Sequence, residues 1–268
     1  KSSQFISALM LIAPFVDDGI TLNCQLPMTS ESYIDLTIDV LKTFGVEVQS
    51  TTNETQRIMT IPQTRITHRE IEIEPDASSA VYFAAVATLH EGMTITLEGL
   101  QLTSKQPDMK AIRHLGEVGA DVQQTDRGIQ ITGTGTIRGF GDLDATDFPD
   151  ASLCIAAVAA FADSPSRIYG LETLPLKESD RIEVMARSLA SVGCGVAASE
   201  TDLRISPIVD STGSVAIDPV GDHRIAMAMA VVGTKVYVSD DTTLYISSDG
   251  GETWSTQSTN LTAGYNIK

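Results

Sequence analysis

Hydrophobic positions follow the same order three times along the chain. Each stretch opens with an Ala-rich apolar segment of helical length, such as residues 151–162. A short apolar strand, a polar loop and an amphipathic segment follow. In one amphipathic segment Ile182, Met185 and Leu189 recur every three or four residues, and this spacing predicts one buried helical face. The order therefore predicts repeated units that combine helices with strands.

A glycine follows each predicted amphipathic helix. Gly45, Gly119 and Gly193 stand 74 residues apart, and such a fixed period indicates repeated supersecondary units. Glycine suits the end of a helix because it tolerates left-handed dihedrals. The alternating pattern at 120–131 then predicts a hairpin. The fold class is therefore α/β, with parallel and antiparallel pairing left open.

The repeat also divides the chain. The units run approximately over residues 1–75, 76–149 and 150–221, and a fourth opens at Asp222 with another Ala-rich helix. The first residues, Lys1 to Phe5, contain neither an initiator Met nor the start of a signal peptide, so we expect the chain to begin inside a longer fold.

Composition narrows the class of function. A net charge of −17 argues against a nucleic-acid partner, and no apolar run approaches the roughly 20 residues of a membrane span. Cys24, Cys154 and Cys194 lack CxxC spacing, which favours buried thiols in a reducing, cytoplasmic setting. No Cys/His cluster predicts a metal site. A small anionic ligand would need Lys and Arg gathered in one place.

The polar loops before the amphipathic helices are the candidate functional segments. They cover residues 28–33, 102–107 and 176–181, and each precedes a helix start, where N–H groups and the helix dipole attract anions. The third loop carries Lys177, Glu178 and Arg181, which could bind an anion and transfer a proton. A capped helix start with solvated charges remains an equal alternative.

Two other helix starts carry charged residues. Asp222-His223-Arg224 opens the fourth Ala-rich helix, where an acidic cap with solvated charges is the simpler interpretation. Asp150 follows Pro149, and Asp76 stands 74 residues earlier in the same frame. An N-cap role accounts for both aspartates, and it leaves catalysis at one of them open.

Taken together, these motifs resemble a known family. The matching stretches, in order, are Ser2-Ser3-Gln4-Phe5, Ser30 with Tyr33, Asp76-Ala77-Ser78-Ser79, Pro149-Asp150-Ala151, Lys177-Glu178-Ser179-Asp180-Arg181 and Asp222-His223-Arg224. A single short motif is weak, but the ordered set is specific. Residues 1–233 resemble the C-terminal part of the EPSP synthases (3-phosphoshikimate 1-carboxyvinyltransferases).

The resemblance implies a fold of two lobes. Each lobe is an inside-out α/β barrel of three βαβαββ units, with the active site in the cleft between the lobes. Residues 1–75 would be the last unit of an incomplete first lobe, and residues 76–233 would form an incomplete second lobe.

The resemblance also implies a reaction. The family transfers the enolpyruvyl group of phosphoenolpyruvate to the 5-hydroxyl of shikimate 3-phosphate and releases phosphate, by addition and then elimination, in aromatic amino acid biosynthesis. By position, Asp150 resembles the base, Glu178 the acid, and Lys177 a substrate-side catalytic residue. The residues that resemble substrate ligands are Ser2, Ser3, Gln4, Ser30 and Tyr33 for shikimate 3-phosphate, and Arg181, His223 and Arg224 for phosphoenolpyruvate. A cytoplasmic monomer without cofactor, metal, nucleic-acid or membrane partner is implied.

Two alternatives remain open for the activity. The UDP-N-acetylglucosamine enolpyruvyl transferases share the fold, although the motifs at 2–5 and 177–181 favour the EPSP synthases. The family's first units, with a Lys and an Arg that bind both substrates, have no counterpart in these motifs. We therefore expect this chain alone to be inactive, and a non-catalytic truncated remnant or binding module of the same fold is the competing hypothesis.

The last residues differ in composition. Residues 234–268 are rich in Thr, Ser and Asp and hold the only Trp. Residues 235–239 and 243–247 predict two strands, and residues 247–254 match an Asp-box, the hairpin turn of sialidase-like propeller blades. We interpret 234–268 as a short foreign β-rich tail, with a divergent closing hairpin as the alternative.

Overall fold

The computed structural model describes residues 3–66, 68–209, 215 and 217–232, together with the backbone of three strands beyond them. The helices are α1 Ser3–Ile12, α2 Ser32–Thr43, α3 Ala77–Leu89, α4 Met109–Val118, α5 Pro149–Ala159, α6 Arg181–Ser191 and α7 His223–Val232. The strands are β1 Ile20–Gln25, β2 Gln49–Thr52, β3 Gln56–Ile61, β4 Thr94–Glu98, β5 Ala120–Thr125, β6 Gly128–Gly133, β7 Gly141–Asp144, β8 Ser166–Tyr169, β9 Gly195–Ala198, β10 Asp202–Ser206, β11 Val236–Ser239, β12 Leu244–Ser247 and β13 Ser255–Gln257.

The repeats have separate sheets, but the third sheet begins with β7, which precedes the predicted unit boundary at residue 150. The first two sheets have the orders β1-β3-β2 and β4-β6-β5, and all their pairs are antiparallel. The third has the order β7-β8-β10-β9, with β7 parallel to β8. The third unit therefore shows the full βαβαββ order, and the predicted α/β class is confirmed. Within the described chain the strands form separate open sheets of three or four strands, and they close into no barrel.

The Ala-rich helices lie in the centre of the larger part of the structure. α5 packs against α3 and α7, and every residue of α5 except Asp150 is buried. Small side chains allow this close approach of the helices. The outer helices are amphipathic as predicted, and α6 buries Ile182, Met185 and Leu189. The buried helix α5 thus lies between α3 and α7, each of which keeps part of its surface exposed.

Two separate apolar cores lie on either side of residues 67–76. The smaller core extends from Met10 to Ile61 and the larger one from Ala77 to Val231. The segment between them, as far as it is described, has no regular secondary structure. The division falls beside the boundary predicted at residues 75 and 76, and the assignment of the two parts to lobes stays a prediction.

The predicted glycine helix ends are confirmed at two of three positions. Gly45 and Gly193 have φ values of 85° and 98°, in the left-handed region. Gly119 has φ −168°, so the prediction of a left-handed end is wrong there. A glycine is favoured at residue 119 because there is little room for a side chain: an added Cβ would lie 3.0 Å from Ile137 and 3.1 Å from the carbonyl oxygen of Thr136.

The tail contains the two predicted strands, β11 and β12, and a third strand, β13, that the pattern did not predict. They form one antiparallel sheet in the order β11-β12-β13. The Asp-box turn at residues 248–254 lies outside the described residues. Of the helices described, none has the length and hydropathy to cross a bilayer.

Candidate active site

The first turns of three helices meet at one place. Asp150 lies in the first turn of α5, Arg181 begins α6, and Asp222 immediately precedes α7. Arg181 hydrogen bonds to both aspartates, so the N-terminal ends of the three helices are adjacent. Each of these ends carries a partial positive charge, which makes the place suitable for anions.

Arg181 is the centre of the charged cluster. Its side chain is 1% exposed. Nε donates to Asp222 Oδ2 at 2.8 Å, Nη1 donates to Asp150 Oδ1 at 2.8 Å, and Nη2 donates to Glu178 Oε2 at 2.5 Å and to Asp222 Oδ1 at 3.2 Å. The planar guanidinium can meet three carboxylates because its donors point in fixed, different directions. The buried positive charge of Arg181 is therefore paired with three carboxylates.

Asp222 has a different environment from the one predicted. It caps α7 as expected, accepting from Arg224 N at 3.0 Å, but it is buried rather than solvated. Ser179 Oγ also donates to it at 3.0 Å. Burial alone would raise the pKa of Asp222, but the hydrogen bonds from Arg181 and Ser179 and the charge of Arg181 outweigh it and lower the pKa. Asp222 thus joins the side chain of one candidate ligand, Arg181, to the backbone of another, Arg224.

Asp150 is not the N-cap of α5, so that part of the sequence interpretation is wrong. Phe148 is the N-cap residue and Pro149 the first helical residue. Proline starts a helix readily because its φ is already helical, and this places Asp150 inside the first turn. Its carboxylate therefore does not serve as the helix cap. It lies 3.4 Å from Lys177 Nζ and 3.9 Å from Arg224 Nε. Asp76, by contrast, is a true N-cap and accepts from the N–H of Ser78.

Glu178 and Lys177 lie on the solvent side of the cluster. The side chain of Glu178 is 54% exposed and that of Lys177 is about one-third exposed. The predicted convergence of Asp150, Lys177, Glu178, Arg181 and Arg224 is therefore confirmed as geometry. Their chemical roles stay predictions.

The charges of this cluster balance. Lys177, Arg181 and Arg224 face the carboxylates of Asp150, Glu178 and Asp222. An incoming anion must therefore displace one of these carboxylates from a cation or bring further cations with it, because the cluster has no net positive charge of its own.

The residues predicted to hold shikimate 3-phosphate are only partly brought to the cluster. Ser3 is buried in α1, Gln4 is an exposed residue of the same helix, and Ser30 precedes α2 with a φ of 57°. Neither Ser3 nor Ser30 hydrogen bonds to the charged cluster within the described residues. Ser2 lies outside the described residues.

Tyr33 does approach the cluster. Its hydroxyl donates to Asp108 Oδ2 at 3.1 Å, across the division between the two cores. Burial raises the pKa of the Tyr33 phenol, and Asp108 and then Asp150 raise it further, whereas Arg224 lowers it. The phenol therefore lies within electrostatic reach of Asp150 and Arg224.

His223 is the predicted residue that the structure leaves outside. Its side chain is exposed, and it makes no hydrogen bond to any described residue of the cluster. Its neighbour Arg224 points inward and is partly buried near Tyr82. Burial raises the pKa of Tyr82 to about 12, and the nearby charge of Arg224 offsets part of this rise.

Asp108, Tyr82 and the buried role of Asp222 were missed by sequence reasoning. Asp108 and Asp222 each precede a helix, and an aspartate there usually predicts a cap. Tyr82 belongs to an apolar helix, where an aromatic residue predicts core packing. Only contacts between distant segments reveal that Asp222 belongs to the cluster and that Asp108 and Tyr82 lie near Arg224.

Two clefts of the described chain lie outside the cluster. One, of about 720 Å³, is lined in part by Met28, Glu31 and Lys110, and the other, of about 850 Å³, is lined in part by Pro175, Asp180 and Ile182. None of the predicted site residues lines either cleft. Because charge and convergence locate the site better than volume does, we place the candidate site at the helix starts. Among the described side chains, no group of three or more His, Cys, Asp or Glu has metal-binding geometry.

Solved structures show the class of fold. The EPSP synthase of Acinetobacter baumannii superposes with a TM-score of 0.66 at 24% identity, covering 87% of this chain and 54% of that one. An enolpyruvyl transferase of Streptomyces tendae superposes with a TM-score of 0.55 at 19% identity, covering 79% and 48%. The chain therefore has the fold of the enolpyruvyl transferases.

Sequence comparison shows the family. The model of the EPSP synthase (3-phosphoshikimate 1-carboxyvinyltransferase) family matches residues 1–247, and the chain belongs to this family. The 3-phosphoshikimate 1-carboxyvinyltransferase 2 of Halalkalibacterium halodurans is 33% identical over 235 residues, which are 88% of this chain and 52% of that protein. The chain spans about half the length of the curated relatives it matches.

Proposed function

We propose that this chain supplies part of the active site of an enzyme that transfers the enolpyruvyl group of phosphoenolpyruvate to the 5-hydroxyl of shikimate 3-phosphate. The observation that carries the proposal is the cluster around Arg181. Three helix starts bring three cations and three carboxylates together there, although they are far apart in sequence. Family membership supports the same reaction.

The proposed roles follow from exposure and position. Arg224 and Arg181 bind the phosphoenolpyruvate anion, since guanidinium groups match carboxylate and phosphate oxygens. Lys177 neutralises charge beside Asp150, which takes the proton of the attacking hydroxyl. Glu178, at the open side of the cluster, gives a proton to the methylene carbon. The hydroxyl oxygen then bonds to C2 and gives a tetrahedral adduct with a methyl group at C3. In the elimination the bond from C2 to the phosphate oxygen breaks, Glu178 takes back a proton from C3 to restore the vinyl group, and the proton on Asp150 passes to the departing phosphate.

The contacts of Asp150 define what substrate binding must change. Arg181 and Lys177 both form ion pairs with this carboxylate. Phosphoenolpyruvate would compete with Asp150 for the same cations. Binding of phosphoenolpyruvate would therefore free the Asp150 carboxylate to deprotonate the attacking hydroxyl. The same exchange of ion pairs would thus bind one substrate and activate the other.

We also propose the lobe organisation. Residues 1–75 are the last unit of one lobe and residues 76–233 belong to the other, which places the cluster beside the cleft between lobes. The exposed apolar face of α1 supports this, since Phe5 is 65% exposed and Leu9 and Ile12 lie on the same side. Such a face is suited to packing against further units of its lobe.

A cytoplasmic location is part of the proposal. Cys24, Cys154 and Cys194 are all buried and unpaired. Burial raises the pKa of each thiol, which keeps it protonated and unreactive. These thiols are consistent with a reducing compartment.

The test is a ligand-observed NMR titration of the full chain with shikimate 3-phosphate and with phosphoenolpyruvate. Lys177→Gln should weaken binding by about tenfold or more, because a charge-assisted contact contributes about 1.5–3 kcal/mol. Lys42→Gln is the matched control, since Lys42 is exposed in the last turn of α2. Equal binding by wild type and Lys177→Gln would contradict the assignment of the site.

A further inference from the structure

Asp108 is a buried carboxylate at a helix start that it does not cap. It immediately precedes α4, where an aspartate usually accepts a hydrogen bond from a helix N–H. Its side chain makes no such bond. Instead, Oδ2 accepts from Ser78 Oγ at 2.8 Å and from Tyr33 Oη at 3.1 Å. The carboxylate therefore joins two hydroxyl groups from segments that are far apart in sequence.

The position is unfavourable for a charge. Asp108 is 3% exposed, and no Lys or Arg of the described chain forms an ion pair with it. Burial raises the pKa of Asp108, and the hydrogen bonds from Ser78 and Tyr33 and the charge of Arg224 offset this only in part. A neutral side chain of the same shape would avoid the desolvation cost. Packing alone therefore does not explain an aspartate here.

The contact with Tyr33 spans the two cores. Tyr33 belongs to α2, which packs in the smaller core, and Asp108 stands beside α4 in the larger one. The Tyr33 ring remains partly exposed. The hydrogen bond from the Tyr33 hydroxyl to the buried Asp108 carboxylate holds the exposed ring beside the charged cluster.

We propose that Asp108 is a positioning residue, which holds the hydroxyl of Tyr33 so that the exposed phenol ring faces shikimate 3-phosphate. The proposal rests on the proposed function for the identity of the ligand. Asp108 itself does not touch the ligand. It acts through Tyr33, with Ser78 fixing the other side of the same carboxylate oxygen.

The experiment measures shikimate 3-phosphate binding by ligand-observed NMR with the full chain. The variants are Asp108→Asn, Tyr33→Phe and the double substitution, and Asp121→Asn is the matched control because Asp121 is exposed on β5. Each single variant should bind about three- to tenfold more weakly: Tyr33→Phe removes the hydrogen bond, and Asp108→Asn keeps an acceptor oxygen but replaces a charge-assisted bond by a weaker neutral one. The double variant should bind no more weakly than Tyr33→Phe, and the urea midpoint of Asp108→Asn should not fall.

Other results would overturn the proposal. Unchanged binding by Asp108→Asn, with binding by wild type intact, would refute the positioning role and leave the proposed function standing. Additive losses in the double variant, or a lower urea midpoint that accompanies weaker binding, would show a purely structural role. No binding by wild type would refute the proposed function and the positioning role with it. Should Asp108→Asn not fold, Ser78→Ala replaces it, and its effect must vanish in the Tyr33→Phe background.

Discussion

Replacing Asp222 by asparagine tests the buried centre of the site. The carboxylate accepts two hydrogen bonds from Arg181, one from Ser179 and one from the backbone of Arg224. An asparagine of nearly the same shape keeps one acceptor oxygen and turns N–H groups toward the guanidinium. Arg181 would then be left with Asp150 and Glu178 as its charged partners.

The expected loss of stability follows from this geometry. Breaking a buried ion pair by removing one partner costs about 3–5 kcal/mol. The two remaining carboxylates place Asp222→Asn at the lower end, about 3 kcal/mol. For a unit of this size that is a fall of about 6–12 °C in the melting temperature.

Urea unfolding followed by far-UV circular dichroism measures this loss, because the helices α5, α6 and α7 meet at the substituted residue. Tryptophan fluorescence would be a poor probe, since the single Trp254 is in the tail. Asp121→Asn is the control and should change stability by less than about 0.5 kcal/mol. A loss below about 1 kcal/mol for Asp222→Asn would refute the reasoning, because the Arg181–Asp222 pair would then not be a buried contact.

Three further predictions follow from the same structure. The pKa of Asp222 is lowered from 3.8 in the folded chain, so its ionised form stabilises the fold above that pH, and this contribution is lost as the pH falls through the folded-state pKa. The difference in unfolding free energy between wild type and Asp222→Asn should therefore shrink below about pH 3.8. A constant difference would contradict this. The 268-residue chain alone should release no phosphate from the two substrates, because its cluster carries no net positive charge, and turnover at the rate of an intact relative would show that account to be wrong. Removal of residues 234–268 should shift the thermal midpoint only slightly, since a sheet of two or three short strands is marginal alone in water. Loss of folding would mean that the tail is an integral closing element.

Local patterns predicted much of the fold. The spacing of Ile182, Met185 and Leu189 identified the buried face of α6, and these residues are buried as expected. The 74-residue period identified repeated units, and the repeats have separate sheets. Such features depend on neighbours within one element, and a sequence records them directly. The arrangement of the sheets relative to one another depends on contacts between units, which a local pattern does not record.

The site was predicted in part for the same reason. Lys177, Glu178 and Arg181 share one loop, and their charge pattern is visible in the sequence. Asp108 and Asp222 resemble ordinary helix caps until their partners are known, since those partners are distant in sequence. Pro149 also shifted the start of α5 by two residues, which moved Asp150 from the cap into the site. Burial and long-range hydrogen bonds, rather than residue type, distinguish these positions.

The central claim is that the helix starts around Arg181 bind the phosphoenolpyruvate anion. The most direct measurement is a titration with phosphoenolpyruvate, followed through the Nε–H signals of arginine side chains by NMR. The signals of Arg181 and Arg224 should move in a saturable way, because one donates to Asp222 and the other lies beside Asp150. The signal of Arg57, which is held by Glu31 and Asp35 in the smaller core, should stay in place. Unmoved signals of Arg181 and Arg224 at saturating ligand, or a shift of Arg57 alone, would contradict the claim.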